Sequence, residues 1–323
     1  MKRFKQLFML IALMCTATSA WADSNFSGSG TENSPFLIQS NEDLLKFRDL
    51  MESTETYSPY NKSYFKLTTD LTFTGTNNFT PIGGGQNGGC SFQGVLDGDG
   101  HVIRGLNATS NINNYTGAAL FYQLWGATIM KLTLQECSFS VNSYSGSPTV
   151  GAFAVSIRTW DSKSPKIIDY HVIDCTLRAS STTYDQTYTG GIVGEIYDTG
   201  CYVQDCMVEG TTTCSAKKYC GAIVGKPITS DYTHVTNNCY EHTVQVTDLN
   251  TSTTYTTNDI GVAGATRPYD LPGQAEPAGP VVTFVYSGKT VLTIRALEVG
   301  GTVTVPSVEE MESTYSIQNA TFT

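Results

Sequence analysis

A short unit recurs along this chain, and a unit of that size cannot bury its apolar face alone. A Gly followed by a small-and-apolar run stands at Gly117-Ala118-Ala119-Leu120-Phe121, Gly151-Ala152-Phe153-Ala154-Val155 and Gly190-Gly191-Ile192-Val193-Gly194. It returns at Gly221-Ala222-Ile223-Val224-Gly225 and, degraded, at Gly261-Val262-Ala263-Gly264. The starts lie 34, 39, 31 and 40 residues apart. A second element follows the first four copies: Leu134-Gln135-Glu136-Cys137, Val172-Ile173-Asp174-Cys175, Val203-Gln204-Asp205-Cys206 and Thr236-Asn237-Asn238-Cys239. Polarity within each unit alternates with period two, so a helical solenoid is excluded. Each unit offers about three short strands, and stacked units of that kind make a β-solenoid. A β-propeller is the rival, but its blades need four hairpin-linked strands. The hairpin dipeptides Asn87-Gly88 and Asp97-Gly98 lie outside the repeats.

The ordered motifs resemble the GLUG-motif repeat of secreted bacterial surface proteins. The opening segment Gly28-Ser29-Gly30-Thr31-Glu32-Asn33-Ser34-Pro35-Phe36-Leu37-Ile38 is similar to theirs, as are Phe65 to Leu71, Thr80-Pro81-Ile82-Gly83 and Phe92 to Ile103. The resemblance spans about residues 26–265. It implies an all-β, right-handed parallel β-helix and export, and it implies no defined activity. The fifth unit is decayed and Gly151 to Val155 lacks the closing Gly, so the number of rungs stays open.

The ends read differently from the repeats. Residues 1–22 have the pattern of a secretory signal peptide: Lys2, Arg3 and Lys5, an apolar run from Leu7 to Met14, and Ala20-Trp21-Ala22 before Asp23. The apolar run is too short for a membrane anchor, and no later stretch spans a bilayer. Cys15 follows Met14 rather than a small residue, which disfavours lipoprotein processing. Ser40, with Glu42 and Asp43, starts a short helix over 41–52, whose Leu44, Leu45, Phe47, Leu50 and Met51 share one face. Such a helix plugs the open end of a β-helix spanning 23–266. A Pro/Gly linker over 267–280 leads to a small β-rich segment, 281–323, that loosely resembles the internalin-type B-repeat.

Composition narrows the function. The chain has 323 residues, 19 Lys+Arg against 29 Asp+Glu, and a net charge of −10. A chain this acidic is a poor binder of nucleic acid or anionic lipid. With only 15% charged residues, 30 Gly and 18 Tyr, it suits an extracellular all-β protein.

Few residues carry a chemical signature. Cys137, Cys175, Cys206 and Cys239 hold equivalent repeat positions, predicting one inward column of buried thiols. Cys214 and Cys220 are the candidates for a local bridge, with Cys90 and Cys201 unassigned. There is no Cys-x2-Cys pair, and His101, His171, His234 and His242 are scattered, so no metal and no cofactor is implied. Asp97-Gly98-Asp99-Gly100 lacks the later ligands of a calcium loop and reads as a tight Asx turn.

Parallel β-helices also include carbohydrate-active enzymes, and those need clustered acids. Asp174 and Asp205 precede the Cys of successive repeats, with Glu136 and Asn238 in the same slot, so they are predicted to stack. They are the catalytic candidates of that alternative; an exterior column of solvated side chains is the favoured explanation of them. Asp169, Glu195, Arg158, Lys163 and Lys166 lie nearby in sequence. Tyr184, Tyr188, Tyr202 and Tyr219 are the ligand-binding candidates, with Tyr197, Tyr232, Tyr240, Trp125 and Trp160 as further aromatics. The sequence thus favours an exported, secreted or cell-surface binding module for glycans or host and neighbour proteins. Its acidity biases it toward neutral glycans or basic protein patches. The alternatives are a β-helix polysaccharide lyase or glycoside hydrolase, and a structural spacer.

Overall fold

The computed structural model describes residues 26–52, 58, 60–83, 91–110, 116–144, 146–226, 234–236, 238–240, 243–255, 274–275, 281–286 and 289–295. The leader over 1–22, the fifth unit Gly261 to Gly264, Cys90, Tyr232, His242 and most of the linker fall outside them.

The chain winds as a parallel β-helix. One coil runs through Thr149–Gly151, Ala154–Arg158, Lys166–Ile173 and Thr176–Ser180. The next runs through Tyr188–Gly190, Val193–Ile196, the pair Tyr202–Gln204 and Met207–Glu209, and Thr213–Ala216. Each segment pairs in parallel with its counterpart one coil away, so four sheets run along the stack. A coil thus has four faces, not the three read from the repeats. The sheet through Thr213–Ala216 ends in an antiparallel pair, Gln245–Asp248 with Thr253–Tyr255. Val281–Tyr286 and Lys289–Arg295 form a separate antiparallel hairpin.

The repeated glycines mark a corner that bends inward. Gly151, Gly190 and Gly221 pair in one column. A Cβ at Gly190 would lie 2.0 Å from the Val193 carbonyl oxygen, and one at Gly194 would lie 2.5 Å from Thr149 Cγ2. Between them Ile192 is fully buried in the core. The backbone therefore doubles back on its outer side with no room for a side chain. Gly117 is out of this column: it pairs with Thr149, two residues ahead of Gly151.

Two further corners use left-handed backbone. Lys131, Asp169 and Asp205 have φ of 54°, 61° and 55° and stand in one column. Gly105, Glu136, Asp174 and Gly210 have φ of 74°, 53°, 54° and 64° and stand in another. Asp and Gly tolerate this region better than most residues. The two Asp-Cys elements thus serve different corners. Gln204 pairs with Ile168 and Met207 with His171, which sets Cys206 beside Tyr170 and away from Cys175. The expected four-cysteine column is therefore a pair, Cys137 and Cys175, followed by Thr212, whose hydroxyl accepts the Cys175 N–H at 3.1 Å. Asn238 sits at the Cys206 position, not the Asp205 position; its side chain accepts the Cys206 N–H at 3.0 Å and donates to the Val203 carbonyl at 2.8 Å.

The helix at Asn41–Met51, α1, closes the N-terminal end. Ser40 accepts the Asp43 N–H at 3.2 Å, and Asp43 reaches back to the Gln39 N–H at 2.9 Å, a reciprocal cap. The buried face is Leu44, Phe47 and Met51. Phe47 stacks on Phe65 at 3.9 Å and meets Phe92 and Phe121 edge-on. No helix among the described residues is long and apolar enough to cross a membrane.

Candidate functional site

An aromatic and cationic strip runs up one side of the β-helix. Trp125 and Arg158 end the strands Phe121–Trp125 and Ala154–Arg158 and pair directly. Tyr197 follows Val193–Ile196 and takes the same place one coil on. The Arg158 guanidinium carbon lies 5.5 Å from the Trp125 ring centre and 6.0 Å from that of Tyr197. Both are cation–π distances.

Trp160 extends the strip outward. A two-residue turn, Asp161-Ser162, links Trp160 and Lys163, which exchange backbone hydrogen bonds of 3.0 and 2.9 Å. Both turn residues have positive φ, 50° and 61°, the type I′ pattern. The turn packs on Gly126, where a Cβ would come within 2.8 Å of Lys163 Cβ. It holds the Trp160 ring stacked on Trp125 at 4.4 Å. Trp160 and Tyr197 are each 40% exposed, unusually open for large aromatic side chains.

The polar atoms of the strip are incompletely satisfied. Trp125 Nε1 and Arg158 Nε are buried without a hydrogen-bond partner. Asp198 Oδ2 stands 3.7 Å from Arg158 Nε but accepts instead from Thr159 N and Oγ1, at 3.0 and 3.1 Å. Burial, together with a hydrogen bond to Glu195, pushes the Tyr197 phenol up to about 12. Glu195 is ion-paired with Lys226, whose Nζ lies 4.8 Å over the Tyr188 ring.

No protein-family model matches the chain, and no curated protein does. Among solved structures it is similar to a candidate immunoglobulin A1 protease from Bacteroides ovatus, at 16% identity and a TM-score of 0.46, over 69% of this chain and 70% of that one. So remote a likeness says nothing of activity, and the architecture rests on the parallel ladders themselves.

The four tyrosines singled out in the sequence do not converge. Tyr188 and Tyr219 stack at 5.4 Å, but Tyr188 is only 4% exposed, its ring covered by Tyr219 and Lys226. Tyr202 stacks on His234 at 4.3 Å, on the long sheet. Tyr184 is 43% exposed on a turn capped by Ser181, whose oxygen accepts its N–H at 3.0 Å.

The carboxylates also separate. Asp174 Oδ1 accepts the Thr211 N–H and hydroxyl at 2.8 and 2.9 Å, which ties it to its own corner. Asp205 shares its column with Asp169 and Lys131, so Asp174 and Asp205 do not stack. Burial pushes Asp169 up to about 6; Asp205 adds to that, while His171 and Lys131 oppose it. His171 is paired with Glu209 close by. Asp97 to Gly100 forms a bulge inside the strand Val95–Arg104, with the Asx bond from Asp99 N to Asp97 Oδ1 at 2.9 Å.

The cysteines serve as packing groups. Cys137, Cys175, Cys201, Cys206, Cys214 and Cys220 are all buried thiols, so the local Cys214–Cys220 bridge is not formed. Each of those two lies in its own ladder, Cys214 opposite Leu177 and Val246, Cys220 opposite Thr189. Among the described residues, no three or more His, Cys, Asp and Glu converge as a metal needs.

Proposed function

We propose that this chain is an exported binding module that presents its Trp160–Trp125–Arg158–Tyr197 strip to glycans at the cell surface. The observation that carries this reading is an exposed, preorganised aromatic platform held by a purpose-shaped turn. Flat aromatic faces stack on the C–H faces of sugar rings, and rigid aromatics lose little entropy on binding. Export is supported by the leader pattern at 1–22 and by the resemblance of the repeats to GLUG-motif surface proteins. The segment from 281 onward serves in this reading as a short β-rich appendage after a linker.

One specific observation favours a second reading, a carbohydrate-active enzyme. Asp169 and Asp205 stand one rung apart, about 4.8 Å along the stack. Burial holds Asp169 near the protonation midpoint of a general acid.

Incubating the protein with plant and mucin polysaccharides separates the two. The binding reading expects retention of the protein without released oligosaccharide, lost on Trp160→Ala. New reducing or unsaturated ends, abolished by Asp169→Asn, would establish the enzyme. Retention by protein partners alone would overturn both.

A further inference from the structure

The strip contains one cation whose hydrogen-bonding capacity is unspent. The Arg158 Nε donates to no acceptor among the described residues. A guanidinium has five N–H donors in a planar fork shaped for a carboxylate. Its Nε is out of contact with solvent, a costly state for a charged donor without an acceptor. Asp198 Oδ2 forms a 3.7 Å ion pair with Nε, beyond hydrogen-bond reach, and accepts from Thr159 N and Oγ1 instead. The guanidinium carbon lies within cation–π distance of both Trp125 and Tyr197, and the side chain is 42% exposed. Net charge does not explain its position, since Asp161 and Asp198 offset Lys163 and Arg158 locally. Its surroundings do: it lies against Tyr197, itself 40% exposed, and against Trp125, on which the exposed Trp160 stacks.

We infer that Arg158 is the anion-recognising centre of an acidic-sugar subsite, in which a hexuronate carboxylate takes the guanidinium and the pyranose face lies on Trp160. This deepens the glycan-binding reading and rests on it. A uronic acid carries its carboxylate at the edge of the ring whose C–H face stacks, so one residue engages both features. Successive coils extend the same surface, which suits an extended polysaccharide rather than a compact peptide terminus. The acidic chain as a whole repels such a polymer, so recognition is confined to this site.

Tryptophan emission reads the site directly. The chain has three tryptophans, Trp21, Trp125 and Trp160, and Trp21→Phe leaves the two in the strip. The full chain with that change is titrated with polygalacturonate, alginate and hyaluronan, and with galactan, mannan and arabinoxylan as neutral counterparts. The expected result is an emission change with at least one acidic polymer. Arg158→Gln weakens it about tenfold or more, Arg158→Lys restores only part, and unchanged melting of both variants shows the fold intact. Acidic polymers that fail to bind, or that bind Arg158→Gln as well as the parent, overturn the inference. If neutral polymers bind meanwhile, the glycan-binding reading survives; if no polymer of either class binds, both fall.

Discussion

Asp205 stands directly over Asp169, one coil apart in the left-handed corner of the long sheet. The two carboxylates share a partly buried place with Lys131 and His171. The corner needs a residue that tolerates positive φ, and its burial raises the cost of the charge. Folded Asp169 keeps its proton up to about pH 6, whereas the ordinary value is 3.8.

The sign of the resulting pH dependence is fixed. Between about pH 4 and 6 the folded chain binds a proton that the unfolded chain has released, so stability falls as pH rises through that window. Asp169→Asn keeps the backbone preference and removes the charge. It is expected to be more stable than the parent by about 1–3 kcal/mol at pH 7, with the advantage fading toward pH 4. Urea melts at the two pH values test this. A variant less stable at pH 7 would mean that attraction to Lys131 and His171 outweighs burial.

The glycine corner predicts a contrast between two alanines. At Gly190 a Cβ meets the Val193 carbonyl oxygen at 2.0 Å, and backbone there has nowhere to go. Gly190→Ala is expected to cost about 3 kcal/mol or more. Gly75 has φ of 70° but nothing within 4 Å of the added methyl. Gly75→Ala carries only the left-handed penalty, about 1–2 kcal/mol. A Gly190→Ala loss no larger than that of Gly75→Ala in thermal melts would contradict close approach as the reason for glycine at the repeat.

Tyr170 is fully buried against Phe153, and its hydroxyl has no hydrogen-bond partner. An unsatisfied buried hydroxyl costs roughly 1–3 kcal/mol. Tyr170→Phe should therefore raise stability by about 1 kcal/mol or more in urea melts. A loss of stability instead would contradict the orphaned hydroxyl.

Buried thiols predict protection from alkylation. Burial pushes Cys201 up to about 12 and Cys206 well above its ordinary value, so neither forms thiolate at pH 8.5. Iodoacetamide at that pH should label both only after unfolding, as read by peptide mass mapping. Rapid labelling in the native protein would contradict the packing assigned to them.

Much of this architecture is legible in the sequence because a solenoid repeats its own constraints. The Gly-small-apolar unit announces the inward corner, and Ser40 with the Leu44–Phe47–Met51 face announces the cap. Register is less legible. Gly117 and Gly151 look equivalent but pair two residues out of step, because from Gly117 to Phe121 the first coil takes one residue fewer than the next takes from Thr149 to Ala154. The Asp-Cys element looks like one motif but serves two corners, because both corners favour an Asp in the left-handed region. The strip was hidden for the same reason. Trp125, Arg158 and Tyr197 differ in residue type, and the alignment of Trp125 with Arg158 depends on that slipped register. Nor does Asp161-Ser162 carry the usual Asn-Gly signal of the turn that positions Trp160.

Affinity electrophoresis through polysaccharide-loaded gels tests the central claim most directly, using the full chain, Trp160→Ala and Tyr144→Ala. Tyr144 is the more exposed of the two residues, at 60% against 40% for Trp160, but lies outside the strip. The account predicts retardation by a glycan that Trp160→Ala abolishes and Tyr144→Ala leaves intact. Retardation that survives Trp160→Ala, or none with any polysaccharide, would contradict it.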